Sequence, residues 1–406
     1  MRFIIICIGC GLVVSPFLSW NVAATVNPTV NSTSRHLQIN QHDIESLLIK
    51  GLLETSQGQL QQALATTDEL LRVAPNFKLA HLVRGDLFMA RAQQLQTFGN
   101  STANPAANVE DFRQEALVRL QNYLGREQPK GKPEFLWEMN SAQAYAVVID
   151  AEKSRLYIYH NENGKPRYVA DYYVTLGKNG VQKKAEGDKR TPVGVYFSSA
   201  QLKAKLPDFY GAAAFPLNYP NEWDNRQGNG GHGIWIHGTP SDSYSRPPRA
   251  SNGCVVVAAP DLKALMPFLQ NGNTPVIIAE QIQWLTEDQS IPQKAALSAA
   301  IENWRHDWET QNTEQYLAHY SSNFFNSSYD FSSWIEYKRR VQTSASGASI
   351  KLSNFSMFRY PDAAKPMVVV SFEQDFKNNQ LENRMQKRQY WVLENQQWKI
   401  LYEDAA

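Results

Sequence analysis

The chain has 406 residues, with 40 basic and 39 acidic side chains and a formal net charge of +1. Hydrophobic residues make up 43% of it, which is enough for globular cores and excludes general disorder. A nearly neutral chain offers no basic field to hold nucleic acid, so we expect no nucleic-acid partner. The length predicts two or three domains.

The N-terminus has the pattern of a secretory signal peptide. Arg2 is followed by an apolar run over 3–14, and small residues lie at 22–24. This pattern predicts a signal peptide over residues 1–24 and a periplasmic location, with an uncleaved N-terminal membrane anchor as the alternative. Cleavage after Ala24 removes Cys7 and Cys10, so the mature chain keeps Cys254 as its one cysteine and forms no internal disulfide.

Residues 36–128 are predicted to form a helical domain, because apolar side chains recur there at spacings of three and four. Gly51 and Gly85 are separated by the period of a tetratricopeptide repeat, about 34 residues, and Pro75 lies where the second helix of such a unit ends. One and a half repeats do not make a stable solenoid. The segment is therefore interpreted as a tetratricopeptide-like cap docked on the next domain, with a partner-binding groove as the alternative.

Residues 141–281 change character, because short β-branched and aromatic runs alternate with turns. They predict a mostly β domain with one short helix over 260–269. Residues 290–406 begin with a long amphipathic helix and end in strand-like runs, which predicts an α+β domain. That order and a set of aromatic residues together resemble the cone-shaped nuclear-transport-factor-two-like fold. The aromatic residues are Trp304, Trp308, Tyr316, Tyr320, Tyr390, Trp391 and Trp398.

Cys254 lies in the stretch "SRPPRASNGCVVV", directly after a glycine. A lone thiol in an exported protein is either buried filler or a reactive group. A free thiol ionises near pH ~8.5, so a reactive cysteine needs a base, usually histidine. His237 ends the strand-like run "GIWIH", and a loop over 238–250 leads back to the cysteine. Gly253 leaves the backbone accessible for an oxyanion hole.

His232 lies five positions before His237, on the opposite face of that run from His237 if the run is a strand. The two histidines are therefore poor partners for one metal ion, and no second cysteine completes a zinc site. We expect neither a metal nor a cofactor.

The segments "IHGTP…ASNGCVV" and "TLGKNG…EGDKRTPVGVY" together resemble the catalytic domain of the L,D-transpeptidase family. The resemblance implies that Cys254 is the nucleophile and forms a low-pKa thiolate, and that His237 is its base. It also implies that the Gly238 carbonyl orients the imidazole and that Gly253 contributes to the oxyanion hole. Substrate contacts are expected from the remaining site residues, Arg249, Ser251, Asn252 and His232.

What the resemblance implies about function is peptidoglycan chemistry. The enzyme would attack the bond between the diamino acid and D-Ala of a tetrapeptide stem and hold the product as a thioester on Cys254. An amine acceptor gives L,D-transpeptidation. Water gives L,D-carboxypeptidation, and the order of the two C-terminal domains resembles cell-shape carboxypeptidases. The third alternative is an inert scaffold. The expected partners are stem peptides and other cell-wall proteins bound through the helical or C-terminal domain.

Overall fold

The computed structural model describes residues 43–91, 99, 106–125, 131–270, 272–342, 348–379 and 381–406. The predicted signal peptide lies outside these residues. The described residues pack as one compact unit, in which helices come first, a mostly β region follows and an α+β region ends the chain. This order confirms the predicted succession of a helical, a mostly β and an α+β region. Among the described residues no helix has the length and apolarity that a membrane span requires.

The N-terminal region is helical, as its apolar spacing predicts. Asp43 caps the first helix by accepting a hydrogen bond from the Glu45 N–H. A Cβ on Gly51 would lie 3.3 Å from Thr67 Oγ1, so the first two helices approach closely there. The tetratricopeptide-like character of the region stays a prediction. The helices are α1 (Ile44–Ser56), α2 (Leu60–Val73), α3 (Lys78–Met89) and α4 (Ala106–Leu124).

The middle region is built from short strands. The strands are β1 (Lys132–Pro133), β2 (Leu136–Glu138), β3 (Tyr145–Asp150), β4 (Arg155–Glu162), β5 (Lys165–Tyr173), β6 (Leu176–Gly177), β7 (Gly194–Phe197), β8 (Ala214–Pro216), β9 (Trp235–Gly238), β10 (Arg249–Ser251), β11 (Val255–Val257), β12 (Pro275–Ala279) and β13 (Trp284–Leu285). Five of them form a sheet in the order β5-β4-β3-β12-β7, and smaller sheets are formed by β11-β9-β8, by β10-β6 and by β1-β13.

Two short α-helices accompany these strands, α5 (Glu222–Arg226) and α6 (Ala259–Leu265). Single 3₁₀ turns lie at Asp208–Tyr210 and Met266–Phe268. The helix predicted over 260–269 is thus divided, since α6 ends before Pro267 and a 3₁₀ turn carries the chain on. Val255, Val257 and Ile236 point into the core between the large and small sheets.

The C-terminal region has the helices and antiparallel strands that the sequence predicts. The elements are α7 (Glu287–Glu309), α8 (Thr313–Ala318), β14 (Tyr320–Phe325), α9 (Phe331–Gln342), β15 (Ser349–Arg359), β16 (Met367–Lys377), β17 (Glu382–Glu394) and β18 (Gln397–Ala405). Six strands form its sheet in the order β14-β18-β17-β16-β15-β2. The edge strand β2 comes from residues before the predicted middle domain, which the sequence pattern did not place in any sheet.

Candidate active site

Cys254 lies in the turn that leads into β11. Gly253 before it has φ +124°, and a Cβ there would lie 2.7 Å from the Arg190 carbonyl oxygen, so the position requires glycine. The thiol is half-buried, and Sγ lies 3.5 Å from the Gly233 carbonyl oxygen. Cys254 is therefore neither packed filler in the core nor fully exposed.

His237 lies on β9, which runs parallel to β11 and pairs with it. The register places His237 opposite Val256 and Ile236 opposite Val255. Cys254 directly precedes Val255, so the parallel pairing puts the cysteine turn beside β9, the strand that carries His237. The contacts of the sulfur lie on the residues just before His237, since Sγ is near the Gly233 carbonyl oxygen and the Trp235 N–H. That Cys254 and His237 act as a pair stays a prediction.

The His237 ring is held in a fixed orientation. Its Nδ1 lies 2.7 Å from the Gly238 carbonyl oxygen, and the side chain is 1% exposed. The rings of Tyr210 and Phe209 pack against it with centroids 5.1 and 6.2 Å away. A carbonyl only accepts, so Nδ1 carries the proton and Nε2 is left as the basic nitrogen.

Burial sets the protonation states of both groups. It lowers the pKa of His237 to about 4, an effect that the Gly238 and Tyr210 carbonyls oppose and the charge of Arg246 reinforces. Burial also raises the pKa of Cys254, although the Trp235 N–H, Lys183 and Arg246 act in the other direction. At neutral pH the resting thiol and the resting imidazole are therefore both uncharged. The expected low-pKa thiolate is wrong, because desolvation outweighs the nearby cations.

Two cations near the thiol, Lys183 and Arg246, were missed by the sequence reasoning. Lys183 is buried, and its ammonium donates to Asp188 Oδ1 at 2.8 Å. Burial acts to raise the pKa of Asp188, but that bond and three backbone N–H donors outweigh it and bring the pKa to about 2. Arg246 is half-buried, with its guanidinium carbon 4.5 Å from the Phe209 ring centroid. Its position in the stretch before Cys254 was the available signal.

The upstream motif supports the cysteine turn. Thr191 is fully buried, and its hydroxyl accepts from the Gly177 N–H at 2.8 Å and donates to the Gly253 carbonyl at 2.9 Å. The Lys178 N–H donates to the Ser251 carbonyl at 2.8 Å. The glycine-lysine and Thr-Pro segments therefore hold the loop that presents Cys254, although they lie about sixty residues or more before it in the sequence.

Two sequence-based expectations are corrected in this turn. Ser251 is 2% exposed, and its hydroxyl donates to the Cys254 carbonyl at 2.7 Å and accepts from the Gly253 N–H at 3.0 Å. Its hydroxyl therefore holds the turn and is not available to a substrate. The N–H and carbonyl of Gly253 are both occupied within the protein, so its N–H is not a free oxyanion donor.

The remaining candidate residues lie near the site without joining the thiol and imidazole. Asn252 and His232 are exposed. Arg249 is also exposed and lines a cavity of about 590 Å³ together with Gly177 and Arg190. Within the described ranges, no three His, Cys, Asp or Glu side chains are arranged to hold a metal ion.

Comparison with known proteins agrees with this arrangement. Residues 144–278 match the family of L,D-transpeptidase catalytic domains, and residues 296–404 match the Cds6 C-terminal NTF2-like domain. The chain carries an L,D-transpeptidase catalytic domain. An NTF2-like domain follows it. No curated protein matches the chain in sequence.

Three solved structures match about two thirds or more of the chain. Bd1075 of Bdellovibrio bacteriovorus is 26% identical with a TM-score of 0.60, over 68% of this chain and 98% of that chain. The helical cell shape determining protein Pgp2 from Campylobacter jejuni is 26% identical with a TM-score of 0.59, over 68% and 96%. A mutant form of Pgp2, at 24% identity and the same TM-score, matches over 74% and 100% and shows the shared fold.

The L,D-transpeptidase domain makes this a peptidoglycan-modifying protein by family and implies an extracytoplasmic location. Cys254, His237 and Arg246 all lie within the matched residues. We call these three the thiol site.

Proposed function

We propose that the chain is a cysteine acyltransferase that opens the bond between the diamino acid and D-Ala in tetrapeptide stems. The observation that supports this proposal is the parallel β9–β11 register, which puts the turn of a half-buried thiol beside the strand that carries an oriented, neutral imidazole. At neutral pH that pair supplies a protonated nucleophile and an unprotonated base, which general base catalysis requires.

The reaction begins when Cys254 attacks the carbonyl of the diamino acid. Because the resting thiol is neutral, His237 Nε2 takes its proton as the C–S bond forms, and it then gives that proton to the departing D-Ala nitrogen. The C–N bond breaks, D-Ala leaves and a thioester remains. The Cys254 N–H is our candidate for the oxyanion donor, since the Gly253 N–H is already bonded to Ser251.

The acceptor decides between two products. An amine from a second stem gives a cross-link, which is L,D-transpeptidation. Water gives a tripeptide, which is L,D-carboxypeptidation. The similarity to a helical cell shape determining protein favours water, and so does the order of the two matched domains, which resembles that of cell-shape carboxypeptidases. We propose export to the periplasm through residues 1–24, with a retained N-terminal anchor as the alternative.

Mass spectrometry of purified stem peptides after incubation with the protein tests the proposal. Wild-type protein should convert tetrapeptide to tripeptide and free D-Ala, or to cross-linked dimers if an amine is the acceptor. Cys254→Ala should abolish both products while its unfolding free energy changes by only about 1 kcal/mol, because little volume is removed. A folded Cys254→Ala protein that still turns over substrate would exclude the thioester route, and inactive wild-type protein would support the scaffold alternative.

Other cell-wall proteins remain proposed partners through the helical or NTF2-like domain. Co-purification of the exported wild-type protein with wall proteins, compared with the Cys254→Ala variant, measures whether such binding depends on turnover.

A further inference from the structure

Arg246 is a half-buried cation near the proposed reacting residues. Its guanidinium carbon lies 4.5 Å from the Phe209 ring centroid, and that ring packs against the His237 ring with the centroids 6.2 Å apart. Its charge acts on both Cys254 and His237. Among the described residues its guanidinium makes no hydrogen bond or ion pair. The charge of Asp242 acts on Arg246, but the Asp242 carboxylate is ion-paired with the Lys78 ammonium at 3.4 Å.

The other cation near the thiol is already neutralised. Lys183 is held by Asp188 at 2.8 Å and by the Ala185 carbonyl at 2.9 Å. Of these two cations in the described part of the chain, Arg246 is thus the one whose N–H donors all lack a protein partner. A half-buried guanidinium binds carboxylates well, because its paired N–H groups match the two oxygens and partial desolvation strengthens the attraction.

The backbone of Arg246 is fixed from three directions. Its carbonyl accepts from Tyr173 Oη and from Thr175 Oγ1, each at 2.9 Å. The preceding Ser245 donates to Glu115 Oε1 on α4 at 2.6 Å. Two prolines follow at 247 and 248 and restrict the backbone further. The loop therefore presents the guanidinium in a fixed place, which a recognition residue requires.

We propose that Arg246 binds the α-carboxylate of the residue that leaves, and so restricts cleavage to stems whose last residue has a free carboxylate. This inference rests on the proposed function, which places the scissile carbonyl at Cys254 Sγ. The carboxylate of the leaving residue is then the anionic group closest to the scissile bond along the peptide. No covalent step is added, since Arg246 only binds and orients.

A matched pair of substrates tests this role. The tetrapeptide stem is offered as the free acid and as the C-terminal amide, and kcat/KM is measured for each. Wild-type protein should prefer the acid by about 10- to 100-fold, the worth of a charged hydrogen-bonded contact. Arg246→Gln should lose about that factor on the acid and little on the amide, while Arg246→Lys keeps part of the preference. The control Arg167→Gln removes an exposed arginine on β5 and should change neither.

Alkylation of Cys254 separates this inference from the proposed function. The rate ratio of iodoacetate to iodoacetamide is independent of the thiolate fraction, because both reagents attack the same thiolate. Arg246→Gln should lower that ratio several-fold, and Arg167→Gln should leave it unchanged. Both stems cleaved equally well by wild-type protein would overturn the inference and leave the proposed function standing. Neither stem cleaved, with a ratio that still falls in Arg246→Gln, would overturn the function and support carboxylate recognition. An unchanged ratio in folded Arg246→Gln overturns the inference.

Discussion

The catalytic domain is packed on two sides in two different ways. Toward the helical domain the contact includes buried charges: Arg119, which is paired with Glu45 and Glu115 inside the helical domain, lies 3.7 Å over the Tyr173 ring, and Arg155 of the catalytic domain lies 3.8 Å from Glu45. The Phe77 and Tyr244 rings pack there too, with centroids 4.7 Å apart. Toward the NTF2-like domain the contact is an apolar core shared by the two sheets, in which the Phe197 and Phe358 ring centroids are 6.4 Å apart.

We expect the two contacts to have different roles. The ionic contact ends at the active-site loop, since Glu115 accepts from Ser245 and Tyr173 donates to the Arg246 carbonyl. Burial lowers the pKa of Arg119, but the charges of Glu45 and Glu115 outweigh it and raise the pKa. Such a network is directional, so it can fix a loop. The apolar contact is non-directional and contributes mainly burial. We expect the first contact to govern specificity and the second to govern stability.

The largest expected effect is on the apolar side. Phe358 is 1% exposed, so Phe358→Ala removes a buried ring and should lower the unfolding free energy by about 3–5 kcal/mol. Denaturant unfolding measures this change, and the acid-to-amide preference of the folded fraction should stay at the wild-type value. Phe88→Ala, at a ring that is 43% exposed, is the control and should cost less than about 1 kcal/mol. If Phe358→Ala lost the acid-to-amide preference, the two contacts would not have separate roles in specificity and stability.

A second effect appears on acidification, through His237. Its pKa is about 4 in the folded protein and near ~6.5 in an unfolded chain. Between those values the unfolded chain binds the proton and the folded chain does not, so stability falls as the pH drops from about 6.5 to 4. The loss from this residue should approach about 3 kcal/mol, measured as the difference between wild-type and His237→Gln unfolding curves.

The same shift sets the acid limb of activity. The proposed base loses its function when it is protonated, so kcat/KM should fall with a midpoint near pH 4 rather than near 6.5. Arg246→Gln should move that midpoint upward, because it removes a charge that opposes protonation. Phe358→Ala should leave it in place. An acid limb near pH 6.5 in wild-type protein would show that His237 is not desolvated as the structure has it.

The smallest effect tests the ionic side alone. Ser245→Ala removes the hydrogen bond to Glu115 and should lower the unfolding free energy by about 1 kcal/mol. Because Arg246 is the next residue, the acid-to-amide preference should fall a few-fold as well. Ser327→Ala is a matched control on the NTF2-like side, where Ser327 donates to Asp404 at 2.6 Å. It should leave the preference unchanged, and an equal loss in both variants would mean that Ser245 has no positioning role.

The sequence by itself determined the order of the elements and the two principal candidate residues. Apolar spacing distinguished the helical region from the strand-rich one, because side-chain periodicity is a local property of helix and strand. Cys254 and His237 could be nominated because a strand end, a turn glycine and a lone thiol are all visible in a short stretch. Strand β2 was not predicted, because three residues are too few to show the alternation of a strand. Its partner strand β15 is also more than two hundred residues away in the sequence.

Only the tertiary structure decided the charges and contacts of the thiol site. Burial of His237 and Cys254 reversed the expected thiolate, and desolvation depends on everything packed around a group rather than on its neighbours in the sequence. Arg246 became a candidate because folding leaves its guanidinium without a hydrogen bond among the described residues, close to Phe209 and His237. The loop that carries it is held by a bond between Ser245 and Glu115, which are 130 positions apart in the chain. The Gly253 N–H and the Ser251 hydroxyl are not available to a substrate, because both form hydrogen bonds within their own turn. A sequence names the groups that can react; the folded chain determines which of them are free and in which protonation state.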